Sequence, residues 1–134
     1  MTTTHNASGK TKTILYWLST GLLVAGMLSG GIAQLFHAQS TVDGFHHLGY
    51  PVYMMTILGT WKVLGVLTLL LPGLRLLKEW AYAGFFFLMT GALISHLVSG
   101  DGIGGVIAQI TFVALIVLSW MLRPASRKIS EAQI

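Results

Sequence analysis

The chain has 134 residues, 54% of them hydrophobic and only 9% charged, with a net charge of +4. Soluble domains carry about 25% charged residues, so this composition, with a mean hydropathy of +0.73, excludes an ordinary soluble fold and points to one membrane domain. There is no cysteine, which excludes disulfides, thiolate metal sites and iron–sulfur clusters; no redox centre is built from the chain's own side chains.

Residues 1–12 are polar, with Lys10 and Lys12 just ahead of the first apolar run, and read as a disordered cytoplasmic tail. The run 13–36 is longer than the apolar core of a secretory signal and is not followed by a small-x-small cleavage site, so it is expected to be the first transmembrane helix. Gly26 and Gly30 form a GxxxG pair in it, with Gly31 adjacent, which lets another backbone approach closely. The connection 37–51 is the longest. Ser40 and Thr41 are expected to cap a short interfacial helical turn carrying Val42, Phe45 and Leu48, while Tyr50 and Tyr53 fit an aromatic belt. Pro51 suits the start of the second helix, where its missing N–H is not needed.

The second span is predicted over 53–71, ended by Pro72-Gly73, with Arg75 and Lys78 in a short loop. The third runs over 79–98, through Phe85, Phe86 and Phe87, with Glu79 at its positive end. Ser99-Gly100-Asp101-Gly102 reads as a tight turn, and the fourth span covers 103–122. Arg123-Pro124 closes it, and 123–134 form a basic cytoplasmic tail. The fold expected is all-α: a four-span antiparallel transmembrane bundle with a short interfacial segment between spans one and two. Lys10, Lys12, Arg75, Lys78, Arg123, Arg127 and Lys128 all fall on one side of this arrangement, and 37–51 and 99–102 contain no lysine or arginine. The positive-inside rule then places both termini in the cytoplasm. The basic charge is thereby explained by orientation, and with no basic face interleaved with aromatics outside the spans, nucleic acid is not an expected partner.

Lys62 is the lone charge within the second span. At 1.5 Å per residue it lies roughly 15 Å below the start of that helix, where a charge costs about 2.5–3.5 kcal/mol on insertion scales. Met55, Gly59, Gly65, Val66 and Leu69 share its face at helical spacing, and the glycines mark that face as meeting other helices. Its stem leans toward the helix N-terminus, the side on which Gln109, His96, His47, Tyr50 and Asp101 are expected. These residues are the candidate ligand-binding set, forming a polar pocket with Lys62 at its floor. The plain alternative is a lysine bonded to Gln109 and backbone carbonyls, holding the bundle in register. A weaker metal alternative uses His37, His46, His47 and Asp43, but His46 and His47 would point apart on a helix and no HxxxH spacing occurs. Trp17, Trp61, Trp80 and Trp120 read as packing and interface anchors. No nucleophile–base set, GxSxG, HExxH or phosphate-binding loop is present, so no catalytic residues are assigned.

The ordered segments His47-Leu-Gly-Tyr-Pro51, Leu58-Gly-Thr-Trp-Lys-Val-Leu-Gly65, Leu71-Pro72, Lys78-Glu-Trp-Ala-Tyr-Ala-Gly84 and Gly91-Ala-Leu-Ile-Ser-His96, followed by Gly100-Asp101, resemble the DoxX-like family of small bacterial four-helix membrane proteins. The resemblance covers about 14–122 and agrees with the topology above. It implies a bacterial inner-membrane protein whose relatives are associated with a membrane thiosulfate–quinone oxidoreductase and with oxidative-stress complexes. It further implies a non-enzymatic subunit that binds a quinone or lipid-like molecule around Lys62, in contact with the lipid bilayer and with a redox-complex subunit or a second copy of itself. The alternatives carried beside it are a small proton- or anion-handling transporter, in which Lys62 and His96 act, and a purely structural membrane protein.

Overall fold

In the computed structural model of the protein, residues 2–130 are described, with side chains from residue 8 onward; residues 1 and 131–134, the outermost parts of the two expected tails, lie outside the described residues. Among the described residues every regular element is helical. The order is α1 (Thr2–Leu35), α2 (Gln39–Leu48), α3 (Tyr53–Leu70), α4 (Arg75–Val98) and α5 (Ile103–Leu122), then a 3-10 turn at Ala125–Arg127. Four of these, α1 from Ser8 onward and all of α3, α4 and α5, are long and apolar enough to cross a membrane. The last apolar run and α5 share their bounds.

Three local expectations need correction. The polar residues expected as a disordered tail are wound into α1, whose ladder is continuous from Thr2; extending an established helix adds one hydrogen bond per residue fixed and avoids the cost of a new nucleus. α2 is preceded by Ala38 and has no side-chain cap, so Ser40 and Thr41 lie inside the helix. What closes α2 is Gly49 at its C-terminus, with φ of 78°, a left-handed conformation glycine adopts without a Cβ clash. Finally, α4 starts at Arg75, so Arg75 and Lys78 are helical and Glu79 falls beyond the first turn.

The bundle is a ring: α1 lies against α3 and α5, and α4 completes it against the same two helices. Leu23 and Met27 of α1, Val66 and Leu69 of α3, Tyr82, Phe85 and Met89 of α4, and Ile116 of α5 form the shared core. Large apolar side chains such as Leu22, Trp61, Phe87 and Ile107 point outward, as lipid-facing residues do. Within the ring, Ser119 takes part in two buried hydroxyl contacts, 2.5 Å to Thr20 Oγ1 and 2.7 Å to the Tyr82 hydroxyl, tying α1, α4 and α5 together. In an apolar interior such groups stay paired because leaving them bare costs more than the bond itself provides.

The basic residues gather at one end and finish α3. Lys78, 1% exposed, donates from Nζ to the carbonyl of Thr68 at 2.7 Å and also to that of Leu71. Arg127 donates to the Leu69 carbonyl at 2.7 Å and lies 5.0 Å from the Trp17 ring centroid. Arg75 Nε donates to the Ser126 carbonyl at 3.1 Å. The C-terminal carbonyls of a helix lack intrahelical partners and carry its negative pole, so cationic donors are the groups that suit them. Glu79 meets Arg123 at 2.6 Å and accepts from Trp120 Nε1 at 2.9 Å. The segment after α5, expected as a basic tail, is therefore folded back onto α1, α3 and α4 through Arg123 and Arg127.

Candidate functional site

On α3 the buried positions are Met55, Gly59, Lys62, Val66 and Leu69, spaced three or four residues apart along one face. Gly59 brings α3 against Gly31 of α1: a Cβ built on Gly59 would stand 2.8 Å from the Gly31 carbonyl oxygen. The glycines of α1 then receive the lysine. Lys62 Cβ lies 3.0 Å from where a Gly31 side chain would begin, and Nζ lies 3.6 Å from the same point on Gly30. Small residues on α1 thus make the trough along which the Lys62 stem runs, with the residue only 9% exposed.

The ammonium at the end of that stem has no hydrogen-bond partner among the described residues, although every ammonium proton is a donor. Gln34 of α1, 6% exposed, packs its Cβ 3.2 Å from the Cβ position of Gly59, and its Oε1 is buried without a donor. It follows Gly30, beside which the Lys62 ammonium lies, by one helical turn. Nothing in the sequence distinguished Gln34 from a lipid-facing polar residue; only the Gly31–Gly59 contact shows that its face is inward.

Lys62 also borders a groove of about 400 Å³ between α3 and α4, lined among others by Leu58, Trp61, Gly65, Trp80 and Phe85. It is the one charged residue in that lining. Gly65 lets the Phe85 ring in close, and Trp61 and Trp80 are both largely exposed. A deep cation beside an apolar slot suits a ligand with a small hydrogen-bond acceptor on an apolar body.

The other predicted site residues assemble elsewhere, at the end of the bundle remote from the basic cluster. Gly100, with φ of 80°, turns the chain back after α4, and the Asp101 backbone N–H donates to the His96 carbonyl at 3.0 Å. The Asp101 carboxylate then meets His96 Nδ1 at 2.6 Å and His47 Nε2 at 2.8 Å. Gly105 of α5 makes room for it, because a side chain there would start 2.7 Å from Asp101 Cβ. Gln109 satisfies both halves of its amide when its nitrogen donates to the carbonyls of Gly105 (3.0 Å) and Val106 (3.1 Å), leaving its oxygen 3.2 Å from His96 Nε2. The Tyr50 hydroxyl is 2.6 Å from Ser95 Oγ, which itself donates to the Gly91 carbonyl at 2.9 Å. The hydrogen bond from His96 first, and that from His47 second, hold the Asp101 carboxyl below the usual carboxylate range.

Of the six residues expected around one pocket, His47, His96, Asp101 and Gln109 are joined by hydrogen bonds, and Tyr50 is bonded to the residue beside His96. Lys62 is apart from them: it makes no hydrogen bond to the set, and none of the set lines its groove. Gln109 is engaged by His96 and by backbone, so it is not the acceptor for Lys62. The residues of the metal alternative are dispersed in their bonding. His37 Nε2 is 3.3 Å from Thr56 Oγ1, Asp43 accepts from Gln39 at 2.8 Å, His47 is taken by Asp101, and His46 is exposed. Among the described residues no group of three histidine, aspartate or glutamate side chains is placed to hold a metal ion.

A model of the DoxX-like family matches residues 18–119, a stretch that contains Gln34, Lys62 and the whole histidine–aspartate cluster. No curated protein and no solved structure matches the chain.

Proposed function

The chain belongs to the DoxX-like family, and from that premise we propose that this multi-pass membrane protein is a non-enzymatic binding subunit. Its ligand is a quinone or similarly lipid-like small molecule, held in the α3–α4 groove with Lys62 donating to the polar head. The observation that carries this reading is Lys62, a residue 9% exposed with no hydrogen-bond partner among the described residues, in the lining of an apolar groove. A cation at that depth costs free energy on insertion unless something accepts its protons. An oxo or hydroxyl group on an apolar ring system can reach it without pulling a zwitterionic head from the membrane surface. Since the chain has no cysteine, electrons would be handled by a partner redox subunit, with this protein supplying the membrane site.

The same reading places the protein in the bacterial inner membrane as an antiparallel bundle, with both termini in the cytoplasm. The short connections 71–74 and 99–102 and the gathering of Arg75, Lys78, Arg123 and Arg127 at one end support it. A transport role draws on the histidine–aspartate cluster, but no hydrogen bond links that cluster to Lys62.

The test uses the tryptophans of the groove. The purified protein and its Lys62→Met variant, in lipid nanodiscs, are titrated with a short-chain ubiquinone while tryptophan fluorescence is followed. Saturable quenching in the parent that is lost in the variant, with helical content unchanged, is the expected result. Equal quenching in both proteins would remove Lys62 from the site.

A further inference from the structure

The contact between α1 and α3 holds two polar groups that neither helix satisfies. Among the described residues, Lys62 Nζ is a donor without an acceptor and Gln34 Oε1 an acceptor without a donor, on residues 9% and 6% exposed. Buried groups of opposite hydrogen-bonding sense ordinarily find a partner, yet these two are not bonded to each other. The glycines of α1 show why. A Cβ built on Gly30 would stand 3.6 Å from Lys62 Nζ and, apart from the adjoining chain of α1, would meet nothing else within 4 Å. Gln34 is one helical turn further along, with roughly 5–6 Å between the two Cβ positions. Room for a small group therefore remains beside the ammonium, on the face of α1 that also carries Gln34.

Resting on the binding function proposed above, we propose that Lys62 and Gln34 together hold one hydroxyl group, so that the site selects the hydroquinone form of its ligand over the quinone. Lys62 connects the two places the ligand needs. It belongs to the lining of the α3–α4 groove, where the apolar body lies, and its ammonium ends beside Gly30 of α1, where the polar head lies. A quinone oxygen only accepts, so it satisfies the ammonium and leaves Gln34 Oε1 bare. A hydroxyl does both, its oxygen accepting from Nζ while its proton is donated to Oε1. The apolar contacts with Trp61 and Phe85 are open to either form, so discrimination falls to the amide oxygen. A site built to hydrogen-bond a hydroxyl rejects the analogue that lacks it, because its own buried polar atom is then left unpaired. Gln34 is thus the specificity-determining residue for the ligand's reduction state, and the selection is one of binding, with no electron transferred by this chain.

The test is a competition between the two forms. Nanodiscs carrying the full chain, and empty nanodiscs, are equilibrated under nitrogen with an equimolar mixture of short-chain ubiquinone and ubiquinol. The discs are re-isolated, and the ligand bound in excess of the empty discs is separated into its two forms. In the parent protein the reduced form is expected to exceed the oxidised one by about tenfold, the ratio that one buried hydrogen bond supplies. Gln34→Met keeps an unbranched stem of similar length and removes the acceptor, so its ratio should fall toward one while ubiquinone is still retained. Equal retention of both forms by the parent overturns the inference without recourse to any variant, and leaves the groove as a quinone site. A preference that survives in Gln34→Met removes Gln34 from the selection. No excess of either form over empty discs overturns this inference and the binding function together.

Discussion

Lys62 and Asp101 are both charged side chains deep in the sequence of an apolar protein, and their surroundings predict opposite behaviour. Lys62 contributes no hydrogen bond to the bundle, so Lys62→Met should raise the thermal midpoint of the ligand-free protein, by an amount corresponding to roughly 2–3 kcal/mol at most if the insertion cost of the charge is recovered. A lower midpoint in a thermal melt would mean that the ammonium has a stabilising partner. Asp101 is the contrary case, with its carboxyl held below the usual carboxylate range by hydrogen bonds from His96 and His47. A depressed folded value contributes stability above the ordinary carboxylate pKa, about 3.9, and that contribution is lost as pH falls through the lower folded value. The thermal midpoint should therefore hold on acidification to about pH 4; a fall well above that would show that Asp101 does not contribute to the fold.

At the scale of elements, α1 and α3 are joined where glycine faces glycine. Gly59→Ala would put a methyl 2.8 Å from the Gly31 carbonyl oxygen, a backbone atom that cannot swing aside. Overpacking of this kind costs typically 1–3 kcal/mol, so the variant should melt earlier and, because Lys62 lies one turn away, should also lose the tryptophan quenching assigned to the groove. An unchanged melt would mean that the two helices separate freely. The GxxxG pair and the glycines around Lys62 were legible as contact faces, since their pattern needs only helical geometry. Their partners were not. Gly26 meets the Phe112 ring of α5, while Gly30 and Gly31 receive Lys62, and choosing between such partners requires knowing which helices are neighbours. Lys78 was placed in the loop after Pro72-Gly73, whereas it is helical and the C-terminal end of α3 offers it carbonyl oxygens. Ser119 and Thr20 carried no signal at all, since a hydroxyl in an apolar run can equally bond its own helix, as Thr68 and Thr111 do.

For the whole molecule, the spans could be read from length alone, because a bilayer fixes how many apolar residues a helix needs. How the polar residues divide could not. Depth along each span was derivable from the helical rise, but lateral placement around the ring decides that His96 meets Asp101 and Gln109 while Lys62 faces α1. Orientation in the membrane is open to a direct check, helped by the absence of native cysteine. With both termini cytoplasmic, a membrane-impermeant maleimide should label Gly44→Cys in intact spheroplasts and Ala125→Cys only after lysis. The reverse pattern would invert the protein and place its histidine cluster toward the cytoplasm.

The capping of α3 also has a consequence in time. Leu69 and the Arg127 that closes its carbonyl are 58 positions apart, whereas Lys78 reaches the neighbouring carbonyls from only 7 and 10 positions away. As the chain is synthesised from its N-terminus, α3 enters the membrane with its end unfinished, gains Lys78 when α4 begins, and waits for Arg127 until α5 has been made. A nascent chain halted before that point leaves the Leu69 carbonyl to water or lipid head groups. Closure of the second membrane helix thus waits for a residue made after the last one.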